Sequence, residues 1–322
     1  MADNARPSAE EIIRYEKDPA TKIATITFDR PDHLNAPTAA ARLRYAKLLH
    51  AAGVDDDVKV VVIRGVGDDL GSGADIPEVM EMNSAPTDGP RLSEFMLDEG
   101  DVRYPPKDSL RYGATLTQWY ANPAAGCRSL QEFKKISIVE AKGYCYGWHF
   151  YQAADADLVI SSEDALFGHP AFRYAGWGPR MWTWAQTMGM RKFQEMLFTG
   201  RAFTAQEMYE CNFLNKVVPR DQLEAEVAKY AEACSRTRPT DAVFMQKVFF
   251  EMMRQHQGEY MGSMLTGLLE SMGRFVRPDD ADDDLMLNSD TYAAGVNNAV
   301  KDNDNRFPPE FRMSKSGRKK AE

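Results

Sequence analysis

The sequence predicts an α/β fold of repeated strand–strand–helix units that gives way to an all-helical C-terminal part. Three observations carry this. Two runs, Val58–Ile63 and Ile136–Glu140, read as strands, the first nearly all apolar as in a strand covered on both faces. Each is followed by a glycine-bearing turn and then a stretch at helical spacing, Gly71-Ser72-Gly73-Ala74-Asp75 in one case and Gly143-Tyr144-Cys145-Tyr146-Gly147-Trp148 in the other. Beyond residue 220 only helical patterns remain, at Leu223–Arg236 and Asp241–Met272.

The elements follow in order. Lys22–Phe28 alternates apolar and polar residues, as a half-buried strand does. Arg30-Pro31-Asp32 is a turn, and Thr38–Ala52 is a helix with Leu43, Ala46, Leu49 and His50 at helical spacing. Asp55-Asp56-Asp57 turns the chain into the run Val58–Ile63, and a helix begins near Asp75. Prolines, glycines and charges between Asn83 and Gly113 mark a long loop or insertion. A helix is expected over Leu116–Phe133, then the strand Ile136–Glu140, a helix over Trp148–Ala156 and a strand over Asp157–Ser161. Phe167–Trp184 reads as an aromatic loop. Short helices at Phe193–Phe198 and Thr204–Cys211 precede a strand at Lys216-Val217-Val218. The acidic stretch Asp279–Asp284 is expected to break the structure, and Asn297–Glu322 to be a poorly packed tail. The division expected is a core over 1–220 with an insertion at about 77–113, and a helical oligomerisation region with a flexible tail over 221–322.

The 322 residues, 43% of them hydrophobic, suffice for a real core. With 39 basic and 48 acidic residues the net charge is −9, which argues against a nucleic-acid partner. Met1–Glu11 lacks the apolar centre of a signal peptide, and no stretch approaches a membrane span. Cys127, Cys145, Cys211 and Cys234 show no CxxC spacing. They read as reduced thiols of a cytoplasmic protein, with neither a disulfide frame nor a metal site.

The two glycine turns carry the chemistry. A turn from strand into helix leaves backbone N–H groups unpaired and pointing outward at the helix start. Two such turns brought together would supply two donors for a developing negative oxygen. The plainer reading of either turn alone is a tight connection.

With these turns go Arg30-Pro31, Asn35-Ala36, Ile76, Asp157-Leu158, Phe167-Gly168, the segment Thr199–Glu207 and Asn215-Lys216-Val217-Val218-Pro219. In this order and spacing, from about Ile23 to about Leu223, the chain resembles the crotonase family, the enoyl-CoA hydratase/isomerase superfamily. The resemblance implies a crotonase-like spiral of strand–strand–helix turns, assembled as a homotrimer or a dimer of trimers through the C-terminal helices. It implies an acyl-CoA or related carbonyl substrate, with CoA part of the substrate and no separate cofactor. It assigns the oxyanion-hole N–H groups to Ala74 and Trp148, and substrate-binding positions to Asn35, Ala36, Ser72, Asp75 and Ile76.

The sequence departs from the family at the acids. Where the hydratases place two glutamates, this chain has Tyr151 and Ala171. Alanine transfers no proton, and tyrosine, with an ordinary pKa near 10, is a poor base at neutral pH. His149 and His169, on the segments that flank the expected site, become the candidates for moving protons, with Tyr151 as donor or orienting group. Each also has a plainer structural reading. Trp148 stands where the family often has glycine and is expected to narrow the pocket. Asp75 reads as a helix cap, and Asp155 and Asp157 as the end of a helix and the start of a strand. His33, His50 and His256 read as surface or packing residues. The aromatics Phe172, Tyr174, Trp177, Trp182 and Trp184 read as pocket lining or core. Arg91, Arg103, Lys107 and Arg111, in the insertion, read as a lid, a CoA contact or a subunit contact. The expected activity is hydratase/isomerase-like chemistry through an enolate or tetrahedral oxyanion. The alternatives are a histidine-dependent C–C (β-diketone-type) or thioester hydrolase and a catalytically weak acyl-CoA-binding homologue. A serine hydrolase is disfavoured by the missing G-x-S-x-G elbow.

Overall fold

The computed structural model describes residues 6–79, 122–125, 127–174, 176–271 and 295–319. The expected insertion beyond residue 79, with its basic residues, and the acidic break at 279–284 lie outside the described residues.

Two sheets form the frame. The larger has six strands in the order β1-β2-β3-β4-β6-β9. These are β1 Ile13–Asp18, β2 Ile23–Phe28, β3 Val60–Gly65, β4 Ile136–Ala141, β6 Leu158–Ser162 and β9 Lys216–Val218. Only β1 and β2 are antiparallel, and every other pair is parallel. The smaller sheet is β5-β7-β8, from Tyr144–Tyr146, Leu166–Gly168 and Phe203–Thr204.

Burial explains the sequence patterns. In β2 the residues alternate between partly and fully buried, as the alternation implied. In β3 and β4 nearly every residue is buried. Val61, Ile63, Val139 and Ala141 enter one core with Phe28, Tyr45 and Phe167. Val60, Val62, Ile136 and Ile138 enter a second core under the helix Leu223–Arg236, against Leu223, Val227 and Ala231. Both sheet faces are covered, so these strands have no polar face.

Several sequence expectations are corrected. The chain begins its order earlier than expected, with a one-turn helix Ala9–Ile12 closed by a Ser8–Glu11 capping box and leading directly into β1. Of the helix expected over Leu116–Phe133, the described residues 122–125 and 127–133 form a 3₁₀ turn at Pro123–Ala125 and further turns. Proline and the need to bury Cys127, Leu130 and Phe133 at once favour this irregular path. The aromatic segment Phe167–Trp184 contains β7, a 3₁₀ turn Pro170–Arg173 and the start of the helix Met181–Met188. The long C-terminal helix is two, Thr240–His256 and Glu259–Ser271, broken at Gly258, whose φ is +87°.

The C-terminal tail is packed. After the helix Val296–Asn305, residues 306–319 strap the small sheet. Asp304 pairs with Arg173 at 2.8 Å and accepts the Met313 and Ser314 N–H groups. The Tyr146 hydroxyl donates to the Met313 carbonyl at 2.6 Å, and the Lys315 N–H donates to the Tyr144 hydroxyl at 2.8 Å. Lys315 also reaches Asp69, just before the first glycine turn, at 2.5 Å.

Candidate active site

The turns meet because the residues before them pair. Leu70 N–H donates to Lys142 O, Gly71 N–H to Tyr144 O and Tyr146 N–H to Gly71 O, each at 2.8–2.9 Å. This short parallel ladder carries the chain after β3 alongside β5. It ends with Gly73 facing Gly147. A Cβ at Gly147 would lie 3.1 Å from the Gly73 Cα, so only glycine lets the turns approach this closely. Gly147 also has φ 54° and ψ −120°, a conformation closed to L side chains. The second turn does not follow β4 directly, as the sequence suggested. Gly143, at φ +53°, moves the chain from the large sheet to β5 of the small one first.

The amide groups of the first turn are almost all occupied. Gly71 N–H goes to Tyr144 O, Ser72 N–H to Leu34 O at 2.9 Å and Asp75 N–H to Pro37 O at 3.4 Å. Gly73 N–H donates to His149 Nδ1 at 3.2 Å. Ala74 N–H has no acceptor among the described residues. In the second turn Gly147 N–H goes to Gly168 O at 3.0 Å, and Trp148 opens an eight-residue helix, Trp148–Asp155, its own N–H free among the described residues. A Cβ at Gly73 would lie 3.7 Å from the Trp148 nitrogen. Two open amide groups thus stand on adjoining turns, one at the positive end of a helix dipole.

The candidate proton carriers separate into two environments. His149 is fully buried, edge-on to Phe28 at 4.9 Å, with Nδ1 taken by Gly73 and Nε2 enclosed. Burial pulls its pKa down to about 3. With Nδ1 accepting from Gly73 and the ring enclosed, His149 is placed to hold the first turn.

His169 follows β7 and sits in an aromatic box of Tyr151, Phe172 and Trp184, with ring centroids 5.4, 4.8 and 5.6 Å away. The Tyr151 hydroxyl lies 3.4 Å from its Nε2. Nδ1 is buried without a partner among the described residues, and a Cβ at Gly147 would come within 3.8 Å of it. Burial pulls its pKa down to about 4, against a hydrogen bond to the Trp177 backbone that favours the protonated ring. Nδ1 thus lies beside the second turn with no partner among the described residues, and Nε2 faces the Tyr151 hydroxyl. His169 and Tyr151 therefore stand together at the paired turns, whereas His149 lies behind them.

The remaining sequence candidates frame the site. Asn35, fully buried at φ +55°, accepts the Arg30 N–H and donates to the Val66 and Asp69 carbonyls, so its side chain is used in pinning loops. Asp75 pairs with Arg30 at 2.7 Å and accepts the Glu78 N–H, which makes it the cap expected from its position. Ala36 is buried, Ser72 half-buried and Ile76 44% exposed. The Trp148 indole is 2% exposed and packs edge-on to Phe28 and Tyr45, so it fills core behind the turn rather than narrowing a pocket. Trp184 and Phe172 are core residues that shape the histidine box. His33, His50 and His256 are exposed. The part of Gly178 was missed in the sequence: a Cβ there would meet the His169 ring at 2.9 Å. A glycine just after an aromatic-rich stretch was the available signal.

A buried ion cluster supports the site helix from below. Asp155, at its last turn, meets Arg180 at 3.0 Å, and Arg128 binds Glu259 through two 2.7 Å contacts.

Residues 114–270 match the sequence model of a family described as enoyl-CoA hydratase/isomerase. EchA13 of Mycobacterium tuberculosis, an enoyl-CoA hydratase by name, is 27% identical over 246 residues, covering 75% of this chain and 74% of that protein. Mevalonyl-coenzyme A hydratase sidH of Aspergillus fumigatus is 26% identical over 245 residues, covering 74% of this chain and 78% of that protein. Among solved structures, a probable enoyl-CoA hydratase from Mycobacterium thermoresistibile superposes with a TM-score of 0.66 at 27% identity, over 81% of this chain and 94% of that one.

Proposed function

We propose that the chain is a member of the enoyl-CoA hydratase/isomerase family, whose model matches residues 114–270, and that it binds the carbonyl of an acyl-CoA thioester or related substrate between the Ala74 and Trp148 N–H groups. The observation that carries this reading is the isolation of those two amides. Every other N–H from Gly71 to Asp75 has an acceptor, and the two open groups sit on turns packed backbone against backbone at Gly73 and Gly147. Charge developing on the carbonyl oxygen meets donors already in place, each worth about 2.7–4 kcal/mol by mutational precedent. No separate cofactor is invoked, and CoA enters as part of the substrate.

Proton transfer then falls to His169 through Nδ1, with Tyr151 at its other nitrogen. With Tyr151 and Ala171 read at the positions of the hydratase glutamates, the His169–Tyr151 pair favours reactions that need one neutral base beside an oxyanion. Isomerisation through an enolate fits that requirement. Hydrolysis of a thioester or a β-diketone C–C bond, with His169 activating water, is the second reading, and the exchange of carboxylates for a histidine–tyrosine pair supports it. A relative from Rhodococcus jostii, 25% identical, is named as a carboxyl-CoA hydrolase.

The test is calorimetric titration with CoA and a short acyl-CoA, followed by turnover assays of the wild type and His169→Ala. Micromolar binding with turnover that collapses in His169→Ala supports the reading. Absence of binding moves the assignment to CoA-free diketones. Tight binding without turnover on a broad thioester panel leaves only a binding homologue. We also propose a homotrimer or dimer of trimers, because the helix Thr240–His256 exposes Phe244, Met245, Phe249, Phe250 and Met252 together.

A further inference from the structure

We propose that His149 is the positioning residue of the first turn: by accepting the Gly73 N–H and filling the space beside Gly71, it fixes the peptide so that the Ala74 N–H stays open to the substrate oxygen. This rests on the oxyanion reading above. Gly71 is the first sign of the role. Its φ is not positive, so its backbone does not require glycine. Its side-chain space does, because a Cβ there would lie 2.1–2.5 Å from three atoms of the His149 ring. Gly71 and His149 are therefore complementary parts of one contact.

The hydrogen bonding has the same logic. Consecutive amides of the turn point in different directions, and each occupied one restricts the next. Leu34 O holds Ser72 from one side and Pro37 O holds Asp75 from the other. Gly73, at φ +107°, is the freest residue between them. Its only acceptor among the described residues is His149 Nδ1. That bond fixes the plane of the peptide before Gly73 and, through it, the start of the Gly73–Ala74 peptide that carries the Ala74 N–H. His149 is also the residue after Trp148, so one side chain ties the first donor's turn to the second donor's helix. Its surroundings keep it in the acceptor form. The ring is fully buried against Phe28 and Trp148. Burial also keeps it neutral at any ordinary working pH.

The test reads carbonyl polarisation without needing the natural substrate. Cinnamoyl-CoA is titrated into the protein and its absorption band followed, since hydrogen bonds to the thioester oxygen shift a conjugated band to the red. Wild type is compared with His149→Phe, which keeps a ring but loses the acceptor, and with His149→Asn, which keeps an acceptor near Nδ1. The expected result is a red shift in wild type, retained in His149→Asn and cut by at least about half in His149→Phe, with affinity changed by less than about threefold. A full shift in His149→Phe overturns the inference and leaves the oxyanion reading intact. Binding by wild type without any shift, or no binding at all, overturns both. Should His149→Phe not fold, His149→Leu and His149→Asn, close in volume and differing in the acceptor, give the same comparison with the same outcomes.

Discussion

At the residue scale, environment rather than identity separates the two histidines. Both are buried and both are held neutral, but His149 spends Nδ1 on the Gly73 N–H, whereas His169 Nδ1 has no partner among the described residues and lies beside Gly147. His169→Ala is expected to lower kcat by about 10²–10⁴-fold, the range for a removed general base, with a smaller change in KM. Tyr151→Phe is expected to lose less, and steady-state kinetics on the first turned-over substrate distinguish the two. The pH profile carries a sharper expectation. An ordinary histidine would give an acid limb of kcat/KM near 6.5, whereas His169 should place it at about 4. Stability follows the same shift with a definite sign. The unfolded chain takes up the His169 proton near pH 6.5 and the folded chain only near pH 4, so the unfolded state binds more protons between these values. Folding stability should therefore fall as pH drops through that window, by up to about 1.4 kcal/mol per pH unit for this one group. Urea melts of wild type and His169→Phe at pH 6.5 and 4.5 check it, since the variant should lose less over the interval.

At the element scale, the small sheet and the C-terminal strap support the site between them. β5 delivers Gly147, β7 delivers His169, and the strap residues Met313 and Lys315 bond to Tyr146, Tyr144 and Asp69 on the segments leading into both turns. The anchor is Asp304, 4% exposed, whose carboxylate serves Arg173 and two backbone N–H groups at once. These bonds hold its pKa below the usual carboxylate range against the opposing effect of burial. Asp304→Ala leaves Arg173 buried without its carboxylate and is expected to cost about 3–5 kcal/mol, readable as a lower urea midpoint. Asp304→Asn, which keeps an acceptor, should cost less. An unchanged midpoint in Asp304→Ala would mean that the strap adds nothing to the fold.

At the scale of the whole molecule, Thr240–His256 turns Phe244, Met245, Phe249, Phe250 and Met252 outward, and the proposed assembly would cover them. Sedimentation equilibrium is expected to give about three or six times the 36.2 kDa chain mass. Phe249→Glu with Phe250→Glu should shift that mass toward the monomer. A wild-type monomer at micromolar concentration would remove the assembly proposal and leave the site chemistry untouched. Among the described residues, no helix is long and apolar enough to cross a membrane.

The sequence by itself determined the frame. The alternation in β2 and the apolar run Val60–Ile63 of β3 record how many faces of each strand are covered, since burial imposes that pattern directly on composition, whereas β4 buries Ser137 and Glu140 as well and its full burial was not legible. Glycine at 73 and 147 was legible for a similar reason, since a backbone that turns with positive φ selects the residue without a Cβ. The roles of His149, Asp75, Trp148 and the tail were decided only by the tertiary structure. His149 and Tyr151 are two residues apart on one short helix, yet one is enclosed behind Gly71 and the other reaches His169 from a different strand. Asp75 is occupied by Arg30, 45 positions away, and the tail by Asp69, 246 positions from Lys315. Which polar group stays open to a substrate depends on what distant parts of the chain have already claimed, and that information exists only once the chain has folded.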